Sequence, residues 1–153
     1  MEVEIGHLYR HAHLTEAVAR LIYEEFWKDV ENGLTLDYLV AHLRNTGDPG
    51  RIPLSLVALA DGRLAGTVNL IDNDDRKRTH LHPWLAAMVV VQDLRGKGIG
   101  TRLVQELLAE ARRLGFPSVY FGTDGPGFYT RLGAVLHEQV TPEFCIMRFP
   151  LHA

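Results

Sequence analysis

The chain has 153 residues, 46% of them hydrophobic and 23% charged, with a formal net charge of −3. That length supports one domain, 1–153, with a core of its own, which excludes dependence on a disulfide framework or a structural metal. The slightly acidic balance excludes a general nucleic-acid binder and favours a cationic or neutral substrate, while a single cysteine, Cys145, excludes an internal disulfide and fits a reducing compartment.

No stretch approaches the roughly 18 apolar residues of a membrane span. The segment MEVEIGHLYR has no basic region followed by an apolar run, so the expectation is a cytoplasmic protein with no membrane partner.

In chain order, Val3 to Leu8 reads as a first strand. Thr15 is the expected N-cap of a helix from Glu16 to Lys28, with Val18, Leu21, Ile22 and Phe26 on one face. A second helix is expected after Thr35, carrying Leu36, Leu39, Val40 and Leu43 and ending before the turn-rich Asn45–Pro53. The period then changes. Leu54–Ala60 and Arg63–Ile71 flank Asp61-Gly62, the dipeptide suited to a type I′ turn, and predict an antiparallel hairpin.

After a polar excursion from Asp72 to His82, Leu85–Val91 is a continuous apolar run, as in a strand buried on both faces. A helix from Gly98 to Leu114 places Ile99, Leu103, Leu107, Ala111 and Leu114 in register, with Gly115 and Pro117 as its stop. Ser118–Gly122 is a further strand, expected parallel to the one before the helix because a crossover joins them. A short helix, Gly127–Leu132, and two strands, Ala134–Gln139 and Phe144–Phe149, end a mixed α/β chain.

The junction VVVQDLRGKGIGTRLV, Val89 to Val104, carries the most chemistry. A strand feeding a glycine-rich turn into a helix points backbone N–H groups outward at the positive end of the helix dipole, which suits a phosphate. Arg95 and Lys97 can add charge, although the same composition also suits a turn with two solvated basic residues. A Walker loop fails because Gly98 follows Gly96-Lys97 and Val91 stands where the first glycine belongs. A dinucleotide fingerprint fails at Thr101 or at Leu103, depending on which glycine begins it.

The segment Arg95-Gly96-Lys97-Gly98-Ile99-Gly100 matches the acyl-CoA signature R/Q-x-x-G-x-G/A, and here the chain resembles the GNAT superfamily of N-acetyltransferases. Upstream, Met88-Val89-Val90-Val91 looks like that family's fourth strand, with Gln92 where many members have proline. Downstream, Asp124 to Ala134 resembles its second conserved region, with the pattern F-Y-x-x-L-G-F/A beginning at Phe128. The order of elements, β-α-α-β-β-β-α-β-α-β-β, is also the family's. The resemblance implies a mixed α+β fold, a mostly antiparallel sheet flanked by helices, whose parallel fourth and fifth strands splay to admit CoA.

It further implies acetyl-CoA as cosubstrate, with no metal. The amides of Arg95, Gly96, Lys97, Gly98, Ile99 and Gly100 would hold the pyrophosphate, joined by Thr101. The backbone of Met88, Val89 and Val90 would pair with the pantetheine arm like an added strand, and Phe128 would flank the cofactor. Tyr129 is implied as the general acid for the departing thiolate, since a phenol is protonated at neutral pH; its other reading is an aromatic that only packs.

Ala86, Ala87 and Met88 leave no glutamate on the fourth strand to serve as base. His80 and His82 are the candidate bases closest in sequence, with Asp72, Asp74 and Asp75 at the far side of the same polar excursion; for His82 a polar loop residue is the other reading. An H-x-H pair without a supporting cluster does not make a zinc site. Tyr23, Phe26, Trp27 and Trp84 form a candidate aromatic lining for an amine-bearing acceptor, a small molecule or a protein or peptide.

The resemblance also implies the two last strands as the surface where a homodimer would form. Direct transfer to a primary amine is the expected activity, and a catalytically inactive acyl-CoA-binding module of the same fold is the alternative.

Overall fold

A computed structural model describes residues 1–151; the last two residues of the expected single domain lie outside the described residues. Among the described residues seven strands form one sheet in the order β1-β2-β3-β4-β5-β7-β6. They are β1 (Val3–His7), β2 (Leu54–Ala60), β3 (Arg63–Ile71), β4 (Trp84–Val90), β5 (Ser118–Thr123), β6 (Val135–Gln139) and β7 (Cys145–Pro150). Every neighbouring pair is antiparallel except β4 and β5, which run parallel as the crossover requires.

Among the described residues four α-helices flank the sheet: α1 (Thr15–Ile22), α2 (Leu36–Arg44), α3 (Ile99–Arg113) and α4 (Pro126–Arg131). Strand β2 is buried along its whole length because helices cover both of its faces. Its Leu54, Leu56, Ala58 and Ala60 join the core beneath α3, with Leu103, Leu107 and Ala111, while Val57 points the other way into the core of α1 and α2. Leu103 and Leu107 are wholly buried, each stabilising the α3 contact by roughly 1.5–3 kcal/mol through apolar area removed from water.

The hairpin turn is as read, with Asp61 at φ 50 and Gly62 at φ 83, both in the left-handed region that type I′ needs. Thr35 caps α2 by accepting a hydrogen bond from the Tyr38 amide at 3.1 Å. Thr15 does not cap α1. It is the first residue of the helix, its hydroxyl donates to the Ala12 carbonyl at 2.8 Å, and a 3₁₀ segment from Leu8 to Leu14 precedes it.

The expected long first helix is also interrupted. After Ile22 the chain widens into a π turn, Tyr23–Trp27. Such a turn holds more residues than 3.6, so the apolar stripe loses phase. Val18 and Ile22 are buried, but Phe26, expected on the same face, is 40% exposed.

Candidate active site

The site begins with an irregularity in β4. Against β3, Thr67 stands opposite Val89 and Asn69 opposite Ala86, so β4 spends three steps where β3 spends two. That is a β-bulge, and its extra residue includes Ala87 at φ 52, a left-handed conformation that an alanine rarely adopts. Leu85, Met88 and Val90 therefore share the α3 face, while Ala87 and Val89 pack toward α1 and α2. One residue of slip has changed which side chains face which layer.

Beyond the bulge β4 also loses its parallel neighbour. Strands β4 and β5 share one registered pair, Trp84 with Tyr120, supported by the Tyr120 amide donating to the Pro83 carbonyl at 2.9 Å. The strands then diverge, leaving the later part of β4 without a partner on that side. An extended acyl-thiol arm can occupy such an edge.

At the end of β4 the chain makes a 3₁₀ turn, Gln92–Leu94, and enters the glycine turn. Gly96 at φ 77 and Gly98 at φ 85 need the left-handed region, and no atom lies within 4 Å of where a β-carbon on either would stand. Gly98 precedes α3 and supplies no side-chain cap. The amides from Gly96 to Thr101 donate to no protein acceptor among the described residues. They form a set of open donors at the positive end of the α3 dipole.

A cleft of about 300 Å³ lies over this turn. Met88, Val89, Val90, Arg95, Gly96, Gly98, Ile99, Gly100, Thr101 and Phe128 line it, so the structure gathers nearly all the predicted cofactor residues in one place. Lys97 is exposed and is not among the lining residues. Glu25, from the π turn, completes the wall and was not foreseen. Its carboxylate accepts from Arg95 Nη2 at 3.3 Å, while Arg95 Nε donates to the Val90 carbonyl at 2.9 Å.

A second, larger cleft of about 760 Å³ opens on the other side of β4. Phe26, Trp27, Tyr38 and His42 line it from the first helices, Asn69 from β3, Asp74 and Asp75 from the β3–β4 loop, and Asp124 and Tyr129 from beyond β5. The two clefts meet at Met88, which lines both. On the facing element, α4, Phe128 lines one cleft and Tyr129 the other.

Tyr129 packs on Phe121, ring centres 4.4 Å apart, and its burial pushes the phenol pKa above the usual tyrosine value. His42 is shifted downward by burial, which favours neutral imidazole. Asp74 keeps an exposed side at the mouth of the second cleft; partial desolvation by the wall, then the negative charge of Asp75, push its carboxyl up to about 6. Arg78 holds the loop beneath these carboxylates: Nη1 donates to Asp75 at 2.9 Å, and Nη2 donates to Glu138 of the edge strand β6 at 2.7 Å.

Three sequence readings need correction. His82 does not line the second cleft; its Nδ1 lies 2.7 Å from Asp72 and its ring meets the edge of Phe116. It lies before β4, and three strand residues, Trp84 to Ala86, at ~3.3 Å each separate it from the bulge at Ala87. Trp84 is 1% exposed, its indole nitrogen donates to the Leu81 carbonyl at 2.7 Å, and it packs with Ile146 rather than over an acceptor. Tyr23 packs against the α1 and α2 core and is not among the cleft residues, whereas its neighbours Phe26 and Trp27 are.

The chain's residues 18–134 match the family model described as Acetyltransferase (GNAT) family. No curated protein matches by sequence. Among solved structures, the PaiA N-acetyltransferase of Thermoplasma acidophilum, in complex with coenzyme A, is similar at TM-score 0.73 and 17% identity, covering 98% of this chain and 99% of that one. The aminoglycoside 6'-N-acetyltransferase of Enterococcus faecium gives 0.73 and 18% over 98% of each chain. The Salmonella typhimurium protein yncA, with its cofactor acetyl-CoA, gives 0.74 and 18% over 98% of this chain and 94% of that one. At these identities the structural likeness speaks for the fold, and the match over residues 18–134 carries the assignment: the chain belongs to the GNAT acetyltransferase family.

Proposed function

We propose that the protein transfers the acetyl group of acetyl-CoA directly to a primary amine of a small molecule or of a protein or peptide. The observation that carries this reading is the meeting of two clefts at Met88, with Tyr129 in the wall of the second. One cleft has the open amides that a pyrophosphate needs, and the other has the carboxylates and aromatic rings that suit an amine.

The residues present fit the cofactor. Gly96 and Gly98 leave open space above the turn, and a β-carbon on Gly100 would find its nearest neighbours, Met88 and Phe128, at an ordinary 3.6 Å. When bound there, acetyl-CoA would supply an activated acyl group and a thiol leaving group. The Gly96–Thr101 amides would hold its phosphates, and the unpaired edge of β4 would align the arm so that the acyl carbon faces the second cleft. A β4 amide beside the bulge would donate to the acyl oxygen as negative charge develops on it. Tyr129, held protonated by its raised pKa, would donate its hydroxyl proton to the leaving sulfur. No covalent enzyme intermediate is needed, and Cys145 is buried on β7.

Calorimetric titration with acetyl-CoA and CoA, followed by thiol-release assays over a set of amines, tests this reading. Binding with thiol release on one amine class is expected. Binding without release on any amine would replace it with a CoA-binding module, and no binding would remove the phosphate role of the turn.

A further inference from the structure

Direct transfer leaves one proton without a destination. The acceptor nitrogen must lose it as the new N–C bond forms, yet β4 offers only Ala86, Ala87 and Met88 around the bulge. Three carboxylates line the acceptor cleft: Asp74, Asp75 and Asp124. Asp75 is already engaged, accepting from Arg78 Nη1 at 2.9 Å and from the Lys77 amide at 2.9 Å. Asp74, its neighbour on the loop, has no cation or hydrogen-bond donor among the described residues.

A second observation marks the same cleft as built for a polar guest. Asn69 on β3 is 4% exposed. Its Nδ2 donates to the Ala86 carbonyl at 3.5 Å, which decides the orientation of the amide, and its Oδ1 has no donor among the described residues. A buried acceptor left open is destabilising. An N–H in the cleft, from an amine or from a water beside it, is the donor this one lacks.

We propose that Asp74 is the general base of the transfer and that Asn69, through Oδ1, positions the acceptor's amino group beside the Ala87 bulge; this rests on the transferase reading above. The amine enters unprotonated. As its lone pair forms the N–C bond, one of its protons passes to an Asp74 oxygen, directly or through one water. The C–S bond breaks with its electron pair on sulfur, and Tyr129 protonates that sulfur. Solvent then takes the proton from Asp74 and restores the one on Tyr129, so the products are the acetylated amine and the free thiol.

The groups facing Asp74 agree with this role. On its own loop stand Asp75 and Arg76, on α2 Tyr38 and His42, and beyond β5 Asp124 and Tyr129. Asp74 is exposed at the mouth of the cleft, where partial desolvation and the charge of Asp75 hold its carboxyl at about 6, so it is ionised at neutral pH and remains basic enough to accept a proton. The downward shift of His42 favours the neutral form, which adds no positive charge to oppose that.

The test is thiol release from acetyl-CoA, with 1,3-diaminopropane, 4-aminobutanol and tyramine as acceptor probes, measured as kcat from about pH 5 to 9. The parent, Asp74→Asn, Asp74→Glu, Asp124→Asn and Asn69→Ala are compared, with CoA affinity followed by calorimetry. Asp74→Asn should lower kcat about 100-fold or more and remove the acidic limb of its pH profile. Asp74→Glu should keep a limb, Asp124→Asn should keep the acidic limb in place while raising KM for the amine, and CoA affinity should stay within about twofold throughout, on the scale where tenfold is 1.4 kcal/mol. Asn69→Ala should raise KM for the amine more than it lowers kcat.

A parent that turns over while Asp74→Asn keeps both rate and limb overturns the base. Transfer of the loss to Asp124→Asn does the same. A parent that binds CoA and releases no thiol with any probe overturns the transferase reading itself, and the base with it.

Discussion

Gly100→Val tests whether the glycine turn grips the cofactor. Gly100 lies in the first turn of α3 with an ordinary negative φ, so valine needs no change of backbone. Its β-carbon would rest 3.6 Å from Met88 Sδ and Cε and from Phe128 Cζ, which is normal contact distance. Valine is a somewhat better helix former than glycine. The fold should therefore hold, with Tm within ~3 °C of the parent at the usual few degrees per kcal/mol for a domain this size.

The two γ-methyls extend past that contact into the cleft and cover the amides of Gly100 and Thr101. Losing one charge-assisted hydrogen bond costs about 1.5–3 kcal/mol, which is roughly 10- to 150-fold in Kd. Calorimetric titration with CoA, beside a thermal unfolding scan of the same sample, separates the two effects. A variant that binds CoA as tightly as the parent, at unchanged Tm, refutes the assignment of this turn to phosphate.

Tyr129→Phe should lower kcat about 100-fold while leaving CoA affinity unchanged. Burial raises the phenol's pKa, so the acid is fully protonated at neutral pH and is lost only above the ordinary tyrosine range. The parent's rate should accordingly hold into mildly alkaline solution; an early alkaline fall, or a fully active Phe variant, rules out the acid role. Glu25→Ala removes a negative charge from the cofactor cleft and frees Arg95. The pair is half exposed, so stability should change by less than ~1 kcal/mol, while CoA should bind about two- to fivefold tighter at low salt and less so at high salt. Weaker binding would mean that Glu25 holds Arg95 in place for the ligand. His82→Ala should leave the acidic limb of the rate profile unaltered, because the ring rests on Phe116 and Asp72 away from the acceptor cleft. A flattened limb would return the base to His82.

The hairpin, the parallel pair and the turn before α3 are legible in the sequence because each depends on neighbours in the chain. Asp61-Gly62 needs two positive φ values in succession, and the Arg95–Gly100 pattern places open amides within one helical turn. The residues that complete the site are not local. Asn69 reaches Ala86 only through the pairing of β3 with β4, and Glu25 reaches Arg95 across 70 positions. Nothing in the run NLIDNDD distinguishes Asp74 from Asp75; the difference arises because Arg78, three residues after Asp75, turns back to bind it.

Of the four candidate aromatics only Phe26 and Trp27 line the second cleft, for a related reason. Tyr23, Phe26, Trp27 and Trp84 are alike in composition, but the π turn sends Phe26 and Trp27 to the cleft and leaves Tyr23 against the core.

The bulge in β4 shows most directly how the fold makes the site. Ala86-Ala87-Met88-Val89-Val90 reads as an uninterrupted apolar strand, and an apolar run carries no alternation from which a slip could be noticed. Yet Leu85 and Met88 share a face at a spacing of three, which a regular strand of period two forbids. Holding Ala87 at φ 52 costs of order 1–3 kcal/mol. The surrounding contacts offset it: Ala87 packs against the α1 and α2 core, and Asn69 holds the Ala86 carbonyl next to it. The slip puts Met88 where both clefts can reach it, and the divergence of β5 leaves the adjoining backbone unpaired.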